Sequence, residues 1–180
     1  QAMLAGHDVP AQVPDSLDAV LRAMRRMTVM VNDLVDSTRI ESDQLVLQRD
    51  AIAVAEYLAE LCERLKTSMD VARVTLAIPA DLPPVYADYN RLERILVNLL
   101  SNALKYSAPG TPVRVSARVE DDMVAIAVSD EGPGISPKDL PHLFERFYRA
   151  KGARKSEGLG LGLYITRLLV EAHDGHIRVD

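Results

Sequence analysis

Asn98 and Asn102 stand one helical turn apart in a segment with two unlike faces. At about 3.6 residues per turn, Leu92, Ile95, Leu96, Leu99 and Ala103 form an apolar stripe, while Asn98, Asn102, Lys105 and Tyr106 gather opposite. Asparagine is a mediocre helix former, so two on one face need a reason. Amide oxygens are hard ligands that suit Mg²⁺, an ion that also keeps waters and phosphate oxygens. A plain solvated face is the alternative. Asp130 follows a run of six apolar residues and Ser129, and Gly132 and Gly134 come next. A carboxylate at a strand end can face a pocket and accept from a donor such as the exocyclic amine of adenine. The glycines permit unusual backbone angles and close approach of a flat base. An ordinary Asp-Gly turn is the alternative here.

Gly158, Gly160 and Gly162 precede and open the last helical segment. Backbone N–H groups at a helix start attract phosphate. The spacing is not the dinucleotide-binding G-x-G-x-x-G, and no strand leads into it. No Gly-Lys-Ser/Thr follows, as a P-loop would require, and protein-kinase signatures are absent. Arg149, Lys151, Arg154 and Lys155 crowd the stretch before these glycines, as an exposed charged loop or a mobile lid would.

Four segments therefore fall in one order within 66 residues: Asn98–Ser107, Asp130–Gly134, Leu143–Ala150 and Glu157–Leu163. Together they resemble the asparagine, first glycine, phenylalanine and second glycine boxes of the ATP-binding domain of sensor histidine kinases. The resemblance runs from about Ala51 to Asp180. It implies an α/β two-layer sandwich, a mixed sheet covered by helices of the Bergerat type, preceded by a long amphipathic helix. It makes Asn102 the principal Mg²⁺ ligand with Asn98 assisting, and Lys105 the group that neutralises phosphate charge. It gives Asp130 to adenine and extends the ATP contacts to Tyr106, Gly132, Gly134, Ile135, Phe144, Phe147, Arg149, Gly158, Leu159, Gly160, Leu161 and Gly162. Phe144 and Phe147 pack the base of a lid spanning Arg149 to Glu157. Related ATPases of the gyrase and chaperone kind carry a glutamate where Asn98 stands, to activate water. Asn98 cannot act as a general base, so attack by water is slow and the phosphate is kept for a histidine. Asn98 and Lys105 are thus the catalytic pair that the resemblance implies.

The elements that must position these residues can be read along the chain. Asp15 caps a long helix to about Arg39, with Leu17, Met24 and Val31 at one heptad position and Val20, Met27 and Leu34 at the other, a pattern that wants a helical partner; a lone amphipathic helix on a globular surface is the alternative. Leu45–Ala51 reads as a strand and Ala53–Val71 as a helix. Val74–Ile78 and Val85–Ala87 read as strands around Asp81-Leu-Pro-Pro84. Tyr89–Tyr106 is a helix, and Val113–Glu120 and Met123–Asp130 pair around Asp121-Asp122. A short helix follows Pro137, Gly160–Ala172 is the last helix, and His176–Val179 starts a strand. Residues 1–44 resemble the remnant of a helical dimerisation and phosphoacceptor hairpin, its second helix near 15–40; the resemblance makes residues 45–180 the ATP-binding catalytic domain, truncated at its C-terminal strand. The sequence reads as a fragment of a longer kinase or as one that has lost both pieces. His7 lies between Gly6 and Pro10, without the acidic-Leu-Arg-x-Pro context of an acceptor histidine.

Composition bounds the rest. In 180 residues, 48% are hydrophobic and 26% charged, enough for one packed domain with an appendage. The net charge of -5 argues against a general nucleic-acid binder. The longest apolar run, Met123–Val128, is far short of the roughly 20 residues of a membrane span. Cys62, the single cysteine, sits in an apolar helical pattern as a buried inert thiol and excludes an internal disulfide. These features suit a cytoplasmic domain. The expected partners are a response-regulator receiver domain and a second kinase protomer. An ATP-hydrolysing switch and a non-enzymatic interaction module remain the competing classes.

Overall fold

A computed structural model describes residues 45–150 and 159–180, with single positions between Val20 and Ser42. The strands are β1 Arg49–Ile52, β2 Val74–Ala77, β3 Val85–Asp88, β4 Val113–Glu120 and β5 Met123–Ser129. The helices are α1 Val54–Leu65, α2 Tyr89–Tyr106 and α3 Gly162–Ala172, with 3-10 turns at Val71–Arg73 and Leu140–His142.

The β-branched residues of β4 and β5 pair antiparallel from Glu120↔Met123 to Arg114↔Ser129, and Asp121 takes φ +55 in the connection. β2 joins the other edge of β4 in parallel, Val74 opposite Val113. β1 and β3 form a separate antiparallel pair, Arg49 opposite Asp88. Val113, Val115 and Ala117 of β4 face the helices, and α1 buries Val54, Tyr57, Leu58 and Leu61 against that layer. Burial pushes the half-buried Cys62 thiol up, and neighbouring Glu63 adds to the effect.

α2 has two apolar faces rather than one. Leu92, Leu96, Leu100 and Ala103 join the sheet core. Ile95 joins Leu161, Ile165 and Leu169 of the α3 region, with Leu99 packed beside them. The sequence pattern predicts a single stripe through Leu99; Leu100 is in fact fully buried, because the helix lies between the sheet and α3.

The N-terminus of α2 is fixed by its cap. Asp88 Oδ1 accepts from the N–H groups of Asn90 (3.0 Å) and Arg91 (3.1 Å), and Oδ2 from Gln48 (2.9 Å). Burial raises the Asp88 carboxyl, but the three N–H bonds outweigh it and hold it below the usual range. His173 closes the other side. The Asp88 N–H donates to His173 Nε2 (3.0 Å), so the ring proton sits on Nδ1 and donates to Leu169 O (2.7 Å). Arg49 donates to Ala172 O and pairs with Asp174, both at 2.7 Å. The start of α2 and the end of α3 thus share one polar clasp. Asp88→Ala should destabilise the protein by about 2 kcal/mol. Because the folded carboxyl is depressed, its stabilisation is present at neutral pH and lost as pH falls through about 3.9 toward the lower folded value. Denaturant melts from pH 7 to pH 3 check this; a gap between protein and variant that widens in acid would contradict it.

Several expected boundaries move. Leu45–Gln48 is not strand: Leu45 packs against the α2–α3 cluster and Gln48 is spent on Asp88. α1 stops at Leu65, whose carbonyl accepts from Ser68 and Met69 in a turn. The element after Pro137 is a 3-10 turn, and α3 starts at Gly162 rather than Gly160. His176–Val179 joins no ladder among the described residues; Arg178 instead pairs with Glu120 at 3.0 Å. Asp174 takes the left-handed turn after α3, at φ +62. The described positions from Val20 to Thr38 are helical, and Val20, Met24, Met27, Val31 and Leu34 are exposed there. His7, Asp15, Leu17 and most of residues 1–44 lie outside the described residues. No described helix is long and apolar enough to cross a membrane.

Candidate functional site

The register of β4 and β5 carries Asp130 to the start of β4, beside the C-terminal end of α2. Asp130 Oδ1 accepts from the Gly132 N–H at 2.7 Å, a tight side-chain turn. A Cβ at Gly132 would stand 2.6 Å from that oxygen and 3.1 Å from Tyr106 O. Only glycine lets the loop pass between the carboxylate and the end of α2. The turn uses one oxygen of an exposed carboxylate, and an ionised carboxylate has two. Gly134 takes φ +71 in open space, and Ile135 beyond it is exposed.

A second junction lies further back along α2. A Cβ at Gly162 would stand 2.4 Å from Asn98 Oδ1, while Asn98 Nδ2 donates to Thr166 Oγ1 at 2.8 Å. The Asn98 amide is therefore seated on the first turns of α3. Thr166 is 1% exposed. Asn102 is half-buried on the next turn; Lys105 and Tyr106 are exposed, with the Lys105 ammonium 5.3 Å from the Tyr106 ring centre. Leu161 precedes α3 as its N-cap without any side-chain cap, so the helix start offers backbone N–H groups.

A third junction joins the Phe147 segment to Gly160. The Phe147 N–H donates to Gly160 O at 3.1 Å, and Gly160 takes φ +74. A Cβ there would meet Tyr148 O at 2.5 Å and the Phe147 carbonyl carbon at 2.9 Å. Phe147 is itself left-handed at φ +64 and exposed, under the Arg146 guanidinium. Phe144 and Arg149 are half-buried. The Tyr148 hydroxyl donates to Asp139.

The expected residues thus meet at glycines: Asp130 and Tyr106 at Gly132, Asn98 at Gly162, Phe147 and Arg149 at Gly160. The Leu161 side chain belongs to the α2–α3 core, so only its backbone can meet a ligand, whereas Leu159 is exposed. Gly158, Lys151, Arg154, Lys155 and the expected lid lie outside the described residues, Arg149 and Ala150 excepted. Thr166 escapes a reading of the sequence because it falls on the buried side of an apolar helix; its spacing of four from Gly162 is the only signal of it. A groove of about 670 Å³ between α1 and β2, lined by Cys62, Lys66, Met69 and Leu76, lies apart from these junctions.

Residues 87–180, just over half of the chain, match the family described as histidine kinase-, DNA gyrase B- and HSP90-like ATPase. The chain belongs to this family. Within it, the sensor histidine kinase CusS of Escherichia coli O157:H7 is 34% identical over 170 residues, covering 93% of this chain and 35% of CusS. The signal transduction histidine-protein kinase/phosphatase MprB of Mycolicibacterium paratuberculosis is 37% identical over 164 residues, 89% of this chain and 30% of MprB. Among solved structures, full-length ShkA in complex with AMPPNP superposes with a TM-score of 0.73 at 26% identity, over 92% of this chain and 35% of ShkA. The Acinetobacter baumannii histidine kinase AdeS gives 0.72 at 26% identity, over 93% of this chain and 77% of that one. The chain spans about a third of the length of these curated relatives. It carries the ATP-binding catalytic domain of the sensor histidine kinase type, with the mixed sheet and covering helices that the resemblance implied.

Proposed function

We propose that this domain binds Mg-ATP at the three glycine junctions and donates the γ-phosphate to a histidine, for relay to an aspartate of a response-regulator receiver domain. The observation that carries this is that Asp130 meets the end of α2 at Gly132, Asn98 of α2 meets the start of α3 at Gly162, and the Phe147 segment meets the strip before α3 at Gly160. Asp130 accepts from the adenine amine. Gly134 and Ile135 border the base, and Tyr106 lies at the same end of α2. The backbone of Leu159–Gly162, preceded by Gly158, and the start of α3 receive phosphate. Lys105 neutralises phosphate charge, and Arg149 and Phe144 belong to the lid side. Asn102, assisted by Asn98, holds the metal. The donor set fits: two amide oxygens one turn apart leave a magnesium ion the phosphate and water oxygens it prefers, and the described residues hold no group of three His, Cys, Asp or Glu side chains that would hold a metal elsewhere. When bound, Mg²⁺ supplies charge stabilisation to the phosphates.

Asn98 has no titratable base and its amide is held on Thr166, which supports slow hydrolysis and disfavours an ATP-driven switch. The exposed heptad residues Val20, Met24, Met27, Val31 and Leu34 support pairing with a second protomer through residues 1–44, ahead of a catalytic unit from 45. The domain works in the cytoplasm, where ATP and receiver domains are found. Calorimetric titration with ATP, with and without Mg²⁺, tests the site: saturable one-to-one binding that needs the metal is expected, and no binding overturns the proposal.

A further inference from the structure

We infer that Arg73 is a positioning residue for the nucleotide site, acting through the C-terminal turn of α2; the inference rests on the ATP reading above. Arg73 ends the 3-10 turn before β2, and its hydrogen bonds reach none of the residues given to nucleotide. Its guanidinium serves one short stretch of chain. Nε donates to Thr111 O (2.7 Å), Nη1 to Leu104 O (3.2 Å), and Nη2 to Ala108 O (2.9 Å), Thr111 Oγ1 (3.3 Å) and Ser107 Oγ.

The last carbonyls of a helix have no partner within it, and a cation there meets the negative end of the helix dipole. Here the end is closed twice. Ala103 O accepts from both the N–H (3.1 Å) and the hydroxyl (2.6 Å) of Ser107, and Leu104 O accepts from Arg73. On this fixed turn stand Lys105 and Tyr106. The Tyr106 carbonyl packs against Gly132, whose N–H holds the Asp130 carboxylate. Contacts therefore run from Arg73 through the end of α2 to the adenine anchor. Five donors in a planar fork are what only arginine offers; lysine keeps the charge but not the fork. Without Arg73 the last turn keeps only the Ser107 cap on Ala103 O, and Lys105 and Asp130 lose their fixed spacing.

The test separates positioning from plain stabilisation. Affinity for Mg-AMPPNP is measured at a temperature where every variant is folded, beside each melting temperature. Arg73→Met should weaken binding about tenfold and Arg73→Lys about threefold, because distinct sites couple only through shared contacts. Leu61→Ala, in the core under α1, should lower the melting temperature comparably yet leave affinity within about twofold. In an Asp130→Asn background, Arg73→Met should cost less than about threefold, since both act on one anchor. Unchanged affinity in Arg73→Met, or a full tenfold loss in that background, overturns the inference. Should Arg73→Met not fold, Arg73→Lys takes its place in the cycle: unchanged affinity, or an undiminished threefold loss in the Asp130→Asn background, then overturns the inference. Failure of the unsubstituted protein to bind the analogue would instead overturn the ATP reading, and the inference with it.

Discussion

Asp130→Asn should bind ATP about ten- to a hundredfold more weakly than the unsubstituted protein, because a hydrogen bond to a charged group contributes roughly 1.5–3 kcal/mol. The substitution is nearly isosteric. The asparagine amide oxygen can still accept from the Gly132 N–H, so the turn that Asp130 Oδ1 makes at 2.7 Å survives. What is lost is the charge, and the second acceptor is replaced by a donor facing the donor of adenine. Affinity should therefore fall while the melting temperature barely moves. Equal affinities in calorimetry would remove Asp130 as the adenine anchor. A large fall in melting temperature would show that the residue serves the fold first.

Gly160→Ala should be far more damaging than Gly134→Ala, although both glycines are left-handed, at φ +74 and φ +71. Forcing alanine into that region costs roughly 1–2 kcal/mol at either site. At Gly134 nothing else stands in the way. At Gly160 the new Cβ meets Tyr148 O at 2.5 Å and the Phe147 carbonyl carbon at 2.9 Å, backbone atoms that cannot swing aside. The Phe147–Gly160 hydrogen bond must open, releasing the Phe147 segment from the glycine strip before α3. We expect a further loss of about 1–3 kcal/mol beyond the Gly134 variant, and nucleotide affinity reduced by more than about tenfold. Thermal melts and titration of the two variants side by side decide it. Matching values would mean that the third junction does not matter.

Much of this architecture is legible in the chain. α2 is readable end to end because its apolar period, its polar face and its flanks all agree. The β4–β5 pair is readable from two β-branched runs around Asp121-Asp122. The misplacements are tertiary. Leu45–Gln48 opens on three apolar residues and reads as a strand, yet Asp88 claims Gln48 and the α2–α3 cluster claims Leu45. Leu100 reads as a flank residue, yet the sheet core claims it, while α3 claims Ile95 and Leu99 on a second face of α2. At the site, the motif residues can be named from sequence but not their neighbours. Which side chain each glycine makes room for depends on contacts between distant positions, as between Asn98 and Gly162. Thr166 and Arg73 are silent for the same reason: a hydroxyl on a buried helix face and an arginine before a short strand carry no local mark of what they hold.

The proposed function requires that this domain keep the γ-phosphate of ATP for a histidine rather than for water. The direct measurement uses γ-labelled ATP and Mg²⁺ with the chain, alone and with a supplied helical hairpin bearing an acceptor histidine, while released phosphate and protein-bound label are followed together. Slow phosphate release and no label on the chain alone are expected, since His7 lacks the acceptor context and phosphoryl transfer depends on an in-line nucleophile. With the hairpin, weak labelling that is lost in acid should appear on the hairpin, limited by the absent tether. Rapid steady phosphate release with an unlabelled hairpin would instead make the domain an ATP hydrolase. Acid-labile label on the chain alone that His7→Gln abolishes would overturn the reading of His7 as no acceptor.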